Sequence, residues 1–307
     1  MAAMSASLFQ KDVIAIDDLS RNDLLHILQI AAELEQNPSP TLLQGKILAS
    51  CFIEPSTRTR LSFESAMIRL GGSCIGFAEG SGISTKKGET LADTFRMVDA
   101  FADIAVLRHP LEGAARCAAD AASIPIINGG DGANEHPTQT LLDLFAIQKT
   151  QASLENLQIA FLGDLKHSRT VRSLAKALAH FSPRLYFISP PELELPKDIF
   201  ETLRDLGVKF SFHKTLQECL PKLDILYMTR LQKERHIHFD RIEKNYTLTR
   251  NDLIGVKENL KILHPLPKVK EIDPSVDSHP AAFYFEQARG AVFVRQALLA
   301  LILGGIK

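Results

Sequence analysis

The segment Ser56-Thr57-Arg58-Thr59-Arg60 contains the side chains of this sequence that are best suited to chemistry. It follows the apolar run Ile47–Ile53 and precedes Leu61–Leu70, a run with helical spacing that stops at Gly71-Gly72. Free backbone N–H groups and the positive end of a helix dipole collect where a strand turns into a helix. A guanidinium group matches phosphate oxygens, and the hydroxyl groups add short donors. The segment therefore predicts a binding site for a small phosphate group.

A structural interpretation of the same segment is the main alternative. Ser and Thr before a helix are common N-caps, and arginines beside them are usually solvated. The concentration of hydroxyl and guanidinium groups in one turn after a β-run favours the phosphate site. A nucleotide-binding P-loop is disfavoured, because the chain has no G-x-x-x-x-G-K-[ST] motif.

Length and composition set the class of protein. The 307 residues suffice for two domains, and 45% hydrophobic with 23% charged residues is typical of a soluble globular protein. A formal net charge of −1 gives no support to nucleic-acid binding, so any positive field must be local. The four cysteines are scattered, without a C-x-x-C pair, which disfavours a zinc site or a disulfide framework and predicts a cytoplasmic protein.

We expect neither a signal peptide nor a membrane span from the two segments that could resemble one. Residues 1–9 have no basic region followed by an apolar core, so no signal peptide is expected. The most apolar stretch, Ala291–Ile306, is shorter than a membrane span and contains Arg295 and Gln296. We expect it to form a buried helix.

The arrangement of apolar runs predicts an α/β fold with two doubly wound parallel-sheet domains and the active site in a cleft between them. An opening helix is expected over Arg21–Glu35, capped by Ser20. Helices are further expected near residues 60–70, 91–101, 113–122, 138–149 and 286–303. Strands are expected near residues 47–53, 74–78, 104–107, 125–128, 158–163, 184–188, 208–212, 225–229 and 261–263. We place the domains at residues 1–150 and 151–285, with the final helix, about 286–307, packing back on the first.

Five further polar clusters fall at the ends of these strands. They are Arg108-His109-Pro110, His136-Pro137-Thr138-Gln139, Gly163–Arg169, Asp224–Gln232 and His264-Pro265-Leu266-Pro267. Each alone is compatible with surface charges, hydrogen-bonded loop histidines and prolines that end helices or strands. Together they predict a cleft for a substrate with several negative charges.

The segments Ser56–Arg60, His136–Gln139 and His264–Pro267 in combination resemble the signature of the carbamoyltransferase family. The similarity extends over most of the chain, through Lys87–Asp93, Gly163–Lys166 and Tyr227–Arg235. It implies a first domain that binds carbamoyl phosphate and a second that binds aspartate. It also implies direct attack by the aspartate amine through a tetrahedral intermediate, a step of pyrimidine biosynthesis, with no metal or organic cofactor.

The resemblance assigns a role to individual residues. The residues implied to hold carbamoyl phosphate are Ser56, Thr57, Arg58, Thr59, Arg108, His136, Gln139, Pro265 and Leu266. Those implied to bind aspartate are Lys87, Arg169, Arg230 and Gln232. Among these, the catalytic residues would be Arg58, Thr59, Arg108, His136 and Lys87. Gln287-Ala-Arg-Gly290 is expected to be remote from the chemistry.

The resemblance also implies an assembly. The expected form is a homotrimer with shared active sites, in which Lys87, on the loop Ser81–Glu89, enters the neighbouring chain's site. Either Ser81 or Ser84 accompanies it. Regulatory chains or a dihydroorotase are further candidate partners, whereas nucleic acid and membranes are not.

Three alternatives to aspartate transfer remain. An ornithine-specific relative typically has a cysteine in an H-C-L-P segment, where this chain has His264-Pro265-Leu266-Pro267. Arg230 would repel the cationic side chain of ornithine, whereas it would attract a dicarboxylate. The second alternative is transfer to N-acetylated ornithine. The third is a non-catalytic scaffold protein, which the retained arginines disfavour.

Overall fold

The computed structural model describes residues 8–78, 88–230 and 246–306 and divides into two compact units. Unit 1 comprises Met1–Leu141 with Gly290–Lys307, and unit 2 comprises Leu142–Arg289. Each unit contains one parallel sheet with helices, so the predicted α/β fold with two parallel-sheet domains is confirmed.

Unit 1 is built on a four-stranded parallel sheet with the order β2-β1-β3-β4. Its strands are β1 (Ile47–Phe52), β2 (Ser73–Ala78), β3 (Ile104–His109) and β4 (Ile126–Asp131). Its helices are α1 (Arg21–Gln36), α2 (Thr57–Arg69), α3 (Leu91–Asp99), α4 (Ala114–Ala121) and the start of α5 (Pro137–Gln151). The central strands β1 and β3 are buried almost throughout, as expected for a sheet covered on both faces.

The first helix shows how local sequence sets an element. Ser20 accepts a hydrogen bond from the backbone N–H of Asp23 at 3.2 Å, and the Asp23 carboxylate accepts from the backbone N–H of Ser20 at 3.0 Å. This reciprocal cap satisfies two donors that the helix leaves over. The predicted cap and start of α1 are therefore confirmed.

Unit 2 contains a five-stranded parallel sheet with the order β7-β6-β5-β8-β9. The strands are β5 (Gln158–Leu162), β6 (Arg184–Ile188), β7 (Lys209–His213), β8 (Ile225–Met228) and β9 (Lys261–Leu263). The remaining helices of the described ranges are α6 (Arg169–Leu178), α7 (Lys197–Asp205) and α8 (Tyr284–Ile302), which begins in unit 2 and ends in unit 1.

The apolar stretch near the C-terminus forms the buried helix that its composition predicts. In α8, Arg295 is only 2% exposed, and its Nη1 donates to the carbonyl of Ala291 at 3.1 Å. Its guanidinium lies 5.3 Å from the ring centroid of Phe63 in the same unit. Among the described residues, every helix is too short or too polar to cross a membrane.

Two strands of unit 1 extend further than their apolar runs predict. β3 continues to His109 and β4 to Asp131, although both ends are polar. The extension is possible because the register between them shifts after Leu107, which brings His109 opposite Asp131. Arg108 therefore lies inside a strand, where its backbone is fixed.

Candidate active site

The strand order places the predicted arginines on or after the strands that flank the topological switch point of each sheet, Arg58 and Arg108 in unit 1 and Arg169 and Arg230 in unit 2. In unit 1 the chain passes from β1 to β2 on one side and then crosses to β3 on the other. In unit 2 the same reversal occurs between β5 and β8. Ligands of doubly wound sheets bind at the carboxyl ends of the strands at such points. Sequence alone predicts polar strand ends, but the order of the strands decides which ends are neighbours.

In unit 1, Ser56 immediately precedes α2, but its side chain does not cap the helix. Its hydroxyl donates instead to the hydroxyl of Thr59 at 2.9 Å, and no side chain caps the helix. The structural interpretation of this serine as a simple N-cap is therefore wrong. The amide groups at the start of α2 remain available to an anion, at the positive end of the helix dipole.

The two arginines of this segment have different surroundings. Arg60 donates through Nε to Glu64 at 2.7 Å, which offsets its charge. The guanidinium of Arg58 is exposed, and within the described ranges it makes no hydrogen bond or ion pair. Arg58 is therefore the arginine of the segment that can take a phosphate oxygen.

Arg108 lies opposite Phe52 across the β1–β3 pair, at the same switch point. The residue is 9% exposed, its Nη1 donates to the carbonyl of Gly129 at 3.1 Å, and its Nη2 lies 3.2 Å from Glu54 Oε1. Its backbone carbonyl accepts from Ile53 and Glu54. The sequence did not predict the roles of Glu54 and Gly129, because their contacts with Arg108 join segments that are distant along the chain.

The loop between β4 and α5 is held by buried side chains that lead to His136. Asn128 donates to Asp131 at 2.8 Å and to the carbonyl of Ile14 at 2.9 Å. The Asp131 carboxylate also accepts from the backbone N–H of Gly113 at 2.8 Å. These hydrogen bonds fix the start of the loop that leads to His136. His136 itself is 5% exposed.

His136 and Gln139 lie at the start of α5, directly after this loop. Pro137 is the first helical residue, a position where its missing N–H is harmless. The His136 carbonyl accepts from the backbone N–H of Gln139 at 3.0 Å, and both side chains are largely buried. Unit 1 therefore contains Ser56, Thr57, Arg58, Thr59, Arg108, His136 and Gln139, on segments at or just after the ends of its strands.

Arg169 and Arg230 lie at the switch point of unit 2. Arg169 is the first residue of α6, and Arg230 follows the end of β8. The turn before Arg169 is fixed by Asp164, which is 1% exposed and accepts from the backbone N–H of His167 at 3.0 Å. Thr229 donates to the carbonyl of Asp164 at 3.3 Å, which joins the two arginine-bearing turns.

Gly163 makes this junction possible, and replacing it tests the junction. Its φ is +126°, and an added Cβ would lie 2.4 Å from the carbonyl oxygen of Thr229. We expect Gly163→Ala to lower the free energy of unfolding by about 1–3 kcal/mol or more, because backbone strain adds to a steric clash. Gly207→Ala is the matched control, since its φ is +72° with open space around the added Cβ. Denaturant unfolding of both variants checks this, and equal losses would contradict the clash.

The segment after β9 is built around His264, which is 2% exposed. Its Nδ1 accepts from the backbone N–H of Leu266 at 2.8 Å, and its Nε2 lies 2.8 Å from Glu271 Oε1. Gln287 Oε1 accepts from the backbone N–H of His264 at 2.9 Å. Gln287 therefore supports the segment that contains Pro265, a contact that the sequence did not predict.

A second buried carboxylate completes this network in unit 2. Gln287 Nε2 donates to Asp143 Oδ1 at 2.6 Å, and the Tyr227 hydroxyl donates to Asp143 Oδ2 at 2.8 Å. Burial and the neighbouring Asp143 charge raise the pKa of Tyr227 well above its ordinary value, so the phenol stays protonated and donates. These partners are far apart in sequence, and no local pattern could have shown them.

Several predicted residues lie outside the described ranges. They are Lys87, Gln232 and the two loop serines Ser81 and Ser84. Pro265 and Leu266 are described and follow β9 in unit 2.

Comparison with known proteins gives matches over nearly the whole chain. Residues 11–149 match the family described as "Aspartate/ornithine carbamoyltransferase, carbamoyl-P binding domain". Residues 155–302 match "Aspartate/ornithine carbamoyltransferase, Asp/Orn binding domain". The chain is 54% identical over 303 residues to aspartate carbamoyltransferase catalytic subunit 2 of Shewanella halifaxensis, covering 98% of each sequence.

Solved structures agree with the sequence matches. The catalytic subunit of M. Jannaschii aspartate transcarbamoylase is 46% identical, with a TM-score of 0.90 over 96% of this chain and 98% of that one. Aspartate transcarbamoylase from Trypanosoma cruzi, solved with carbamoyl phosphate and aspartate, is 38% identical. Its TM-score is 0.90 over 96% of this chain and 98% of that one.

Proposed function

Because the chain belongs to the aspartate/ornithine carbamoyltransferase family, we propose that it transfers the carbamoyl group of carbamoyl phosphate to L-aspartate. The products are N-carbamoyl-L-aspartate and phosphate, and the reaction serves pyrimidine biosynthesis. One observation carries the proposal: each unit presents a pair of arginines at the switch point of its sheet, Arg58 with Arg108 and Arg169 with Arg230. Two pairs of guanidinium groups suit one phosphorylated and one dicarboxylic substrate.

The proposed domain roles follow the two family matches. Residues 1–150, with the end of the final helix, bind carbamoyl phosphate, and residues 151–285 bind aspartate. The amide groups at the start of α2 and the Arg58 guanidinium hold the phosphate group. Arg108 contacts the phosphate and the carbamoyl oxygen, while Thr59 and His136 donate to the same carbonyl. The amino group of the carbamoyl moiety donates to Gln139 and to the carbonyls of Pro265 and Leu266.

The acceptor is held by cationic and amide side chains. Arg169, Arg230 and Gln232 bind aspartate and its carboxylates, and Lys87 joins them from the neighbouring chain of a homotrimer. The described residues favour a dicarboxylate over ornithine, because the cationic side chain of ornithine would meet Arg169 and Arg230. Regulatory chains or a dihydroorotase are candidate further partners, and the scattered cysteines favour a cytoplasmic location.

The mechanism needs stabilisation of charge and little covalent chemistry from the protein. The aspartate amine attacks the carbamoyl carbon and forms the C–N bond, which places negative charge on the carbonyl oxygen. Donors fixed in advance at that oxygen, Arg108, His136 and Thr59, lower the barrier. The tetrahedral intermediate then expels phosphate, whose oxygens accept the proton lost by the amine. Holding both reactants together supplies the entropic part of the acceleration.

Phosphate release from carbamoyl phosphate, measured with different acceptors, tests the proposed function. We expect kcat/KM with aspartate to exceed that with ornithine or N-acetylornithine by about 100-fold or more, because the wrong acceptor leaves a buried polar group unpaired. Faster release with ornithine would overturn the choice of acceptor. No release with any of the three would favour the non-catalytic scaffold.

A further inference from the structure

The contacts of His264 assign the position of its proton. Nδ1 lies 2.8 Å from the backbone nitrogen of Leu266, a group that can only donate, so Nδ1 accepts. Nε2 lies 2.8 Å from Glu271 Oε1, so Nε2 donates to the carboxylate. The imidazole is therefore neutral and carries its hydrogen on Nε2.

The carboxylate that receives this hydrogen is held in its ionised form. Glu271 is 5% exposed and also accepts from the backbone N–H groups of Val269 and Lys270, both at 3.1 Å. Burial raises the pKa of Glu271, but the hydrogen bond from His264 and the backbone donors outweigh it, so the net pKa is lowered. An ionised Glu271 has no hydrogen to give, which excludes the other tautomer of His264.

Gln287 also holds the main chain of the same turn. Gln287 uses its oxygen for the His264 N–H at 2.9 Å and its nitrogen for Asp143 at 2.6 Å. Because both ends of the amide are occupied, it cannot turn over without breaking two contacts. Leu266 has a φ of +57°, a conformation that a non-glycine residue rarely adopts and that its surroundings must hold.

We propose that His264, as the neutral Nε2–H tautomer, is a positioning residue for the carbonyl groups of Pro265 and Leu266. Among the described residues, neither carbonyl accepts a hydrogen bond. By closing the turn, His264 aims them to accept from the NH2 group of carbamoyl phosphate, so that the protein distinguishes a carbamoyl from an acyl group. This inference rests on the proposed function, in which those carbonyls bind that NH2 group.

Other His-Pro turns of the chain supply an internal comparison. His109 Nδ1 accepts from the backbone N–H of Leu111 at 3.0 Å, and His279 Nδ1 accepts from that of Ala281 at 3.1 Å. His279 lies in unit 2 beside the first residue of β9, since Lys261 Nζ donates to Pro280 at 3.0 Å. His264 follows the other end of β9. His279→Gln therefore breaks the same kind of turn away from Pro265 and Leu266 and is the matched control.

The experiment uses two phosphates that differ in one group. Acetyl phosphate replaces the NH2 group of carbamoyl phosphate with CH3, which donates no hydrogen bond. Dissociation constants of both are measured by calorimetry on the full chain, without aspartate. The variants are His264→Asn, whose Oδ1 can accept from the N–H two residues on, and His264→Gln, whose amide reaches Glu271 instead.

We expect His264→Gln to weaken carbamoyl phosphate binding about 10-fold while acetyl phosphate changes less than about 2-fold, because only the former donates to the two carbonyls. We expect His264→Asn to stay within about 3-fold for both ligands, and His279→Gln to change neither. Equal weakening of both ligands in His264→Gln, or no weakening, would overturn the inference. The reverse pattern would also overturn it, in which His264→Asn loses the preference for carbamoyl phosphate over acetyl phosphate and His264→Gln keeps it.

Two further readouts keep the test decisive. Ring ¹⁵N chemical shifts of His264 in the unaltered protein must show the Nε2–H tautomer, and a protonated or Nδ1–H imidazole overturns the inference even if the variants fail to fold. Carbamoyl transfer by the unaltered protein is measured in parallel. If transfer is absent, the proposed function fails; if transfer is present and the ligand pattern is wrong, the positioning role fails alone.

Discussion

Replacing Arg108 by alanine should lower kcat for carbamoyl transfer by about 10²-fold or more, the scale for losing one charge-stabilising donor. Arg108 is 9% exposed, and Gly129 and Glu54 hold its guanidinium at 3.1 and 3.2 Å. A donor fixed in this way costs little reorganisation when charge develops on the carbamoyl oxygen. Removing it also leaves the Glu54 carboxylate without this cation, which further disfavours an anionic ligand. Steady-state kinetics with both substrates saturating measure the effect.

Two comparison variants separate this loss from a general one. Arg116→Ala removes a half-exposed guanidinium of unit 1, 3.4 Å from Asp18, and is expected to leave kcat within about 2-fold, as for an exposed ion pair. Arg108→Lys keeps the charge but loses the planar fork, so its kcat should fall between those of the alanine variant and the unaltered protein. Near-normal turnover in folded Arg108→Ala would remove Arg108 from the mechanism.

Replacing Arg230 by alanine should raise KM for aspartate about 10- to 100-fold, since a hydrogen bond to a charged group contributes about 1.5–3 kcal/mol. Carbamoyl phosphate affinity should change less than about 2-fold, because its phosphate is assigned to the start of α2 in unit 1. Arg230 follows β8 at the switch point of unit 2, whose other arginine, Arg169, begins α6. Aspartate titrations and equilibrium binding of carbamoyl phosphate give the two values separately.

Arg204→Ala is the control for this variant. Arg204 is an exposed residue of α7 in unit 2, and its guanidinium lies 5.8 Å from the ring centroid of Phe200. Its removal should leave KM for aspartate unchanged within about 2-fold, as for a surface substitution. A similar rise of KM in both variants, or an equal loss of both substrates in Arg230→Ala, would contradict the assignment of Arg230 to aspartate.

The local sequence predicted most elements of the fold because their signals are local. Short apolar runs predicted the strands, which are three to six residues long, and residues with a period near 3.6 predicted helices such as α1. The ends of two strands were not predicted, because the residues at those ends are polar. β3 and β4 run on to His109 and Asp131 because they pair with each other, and no periodicity within either strand encodes that pairing.

The residues of the candidate site likewise form two groups, those that the sequence predicted and those that it did not. The residue types at Ser56–Arg60, Arg108, Arg169 and Arg230 predicted anion binding, because hydroxyl and guanidinium groups have that chemistry wherever they lie. The supporting residues were not predicted. These residues act through hydrogen bonds and ion pairs to partners at least 23 positions away in the sequence. They are Glu54, whose partner lies on a neighbouring strand, Gln287 and Asp143.

The sequence by itself determined the two α/β domains and predicted anionic substrates and the residues proposed to bind them, since these depend on side-chain chemistry and short-range periodicity. Only the tertiary structure decided the order of the strands, and with it which arginines share a switch point. It also decided that Gly163 must lack a side chain beside Thr229 and that His264 must carry its hydrogen on Nε2. The reason is physical: these features depend on distances between segments that the chain brings together only when it packs.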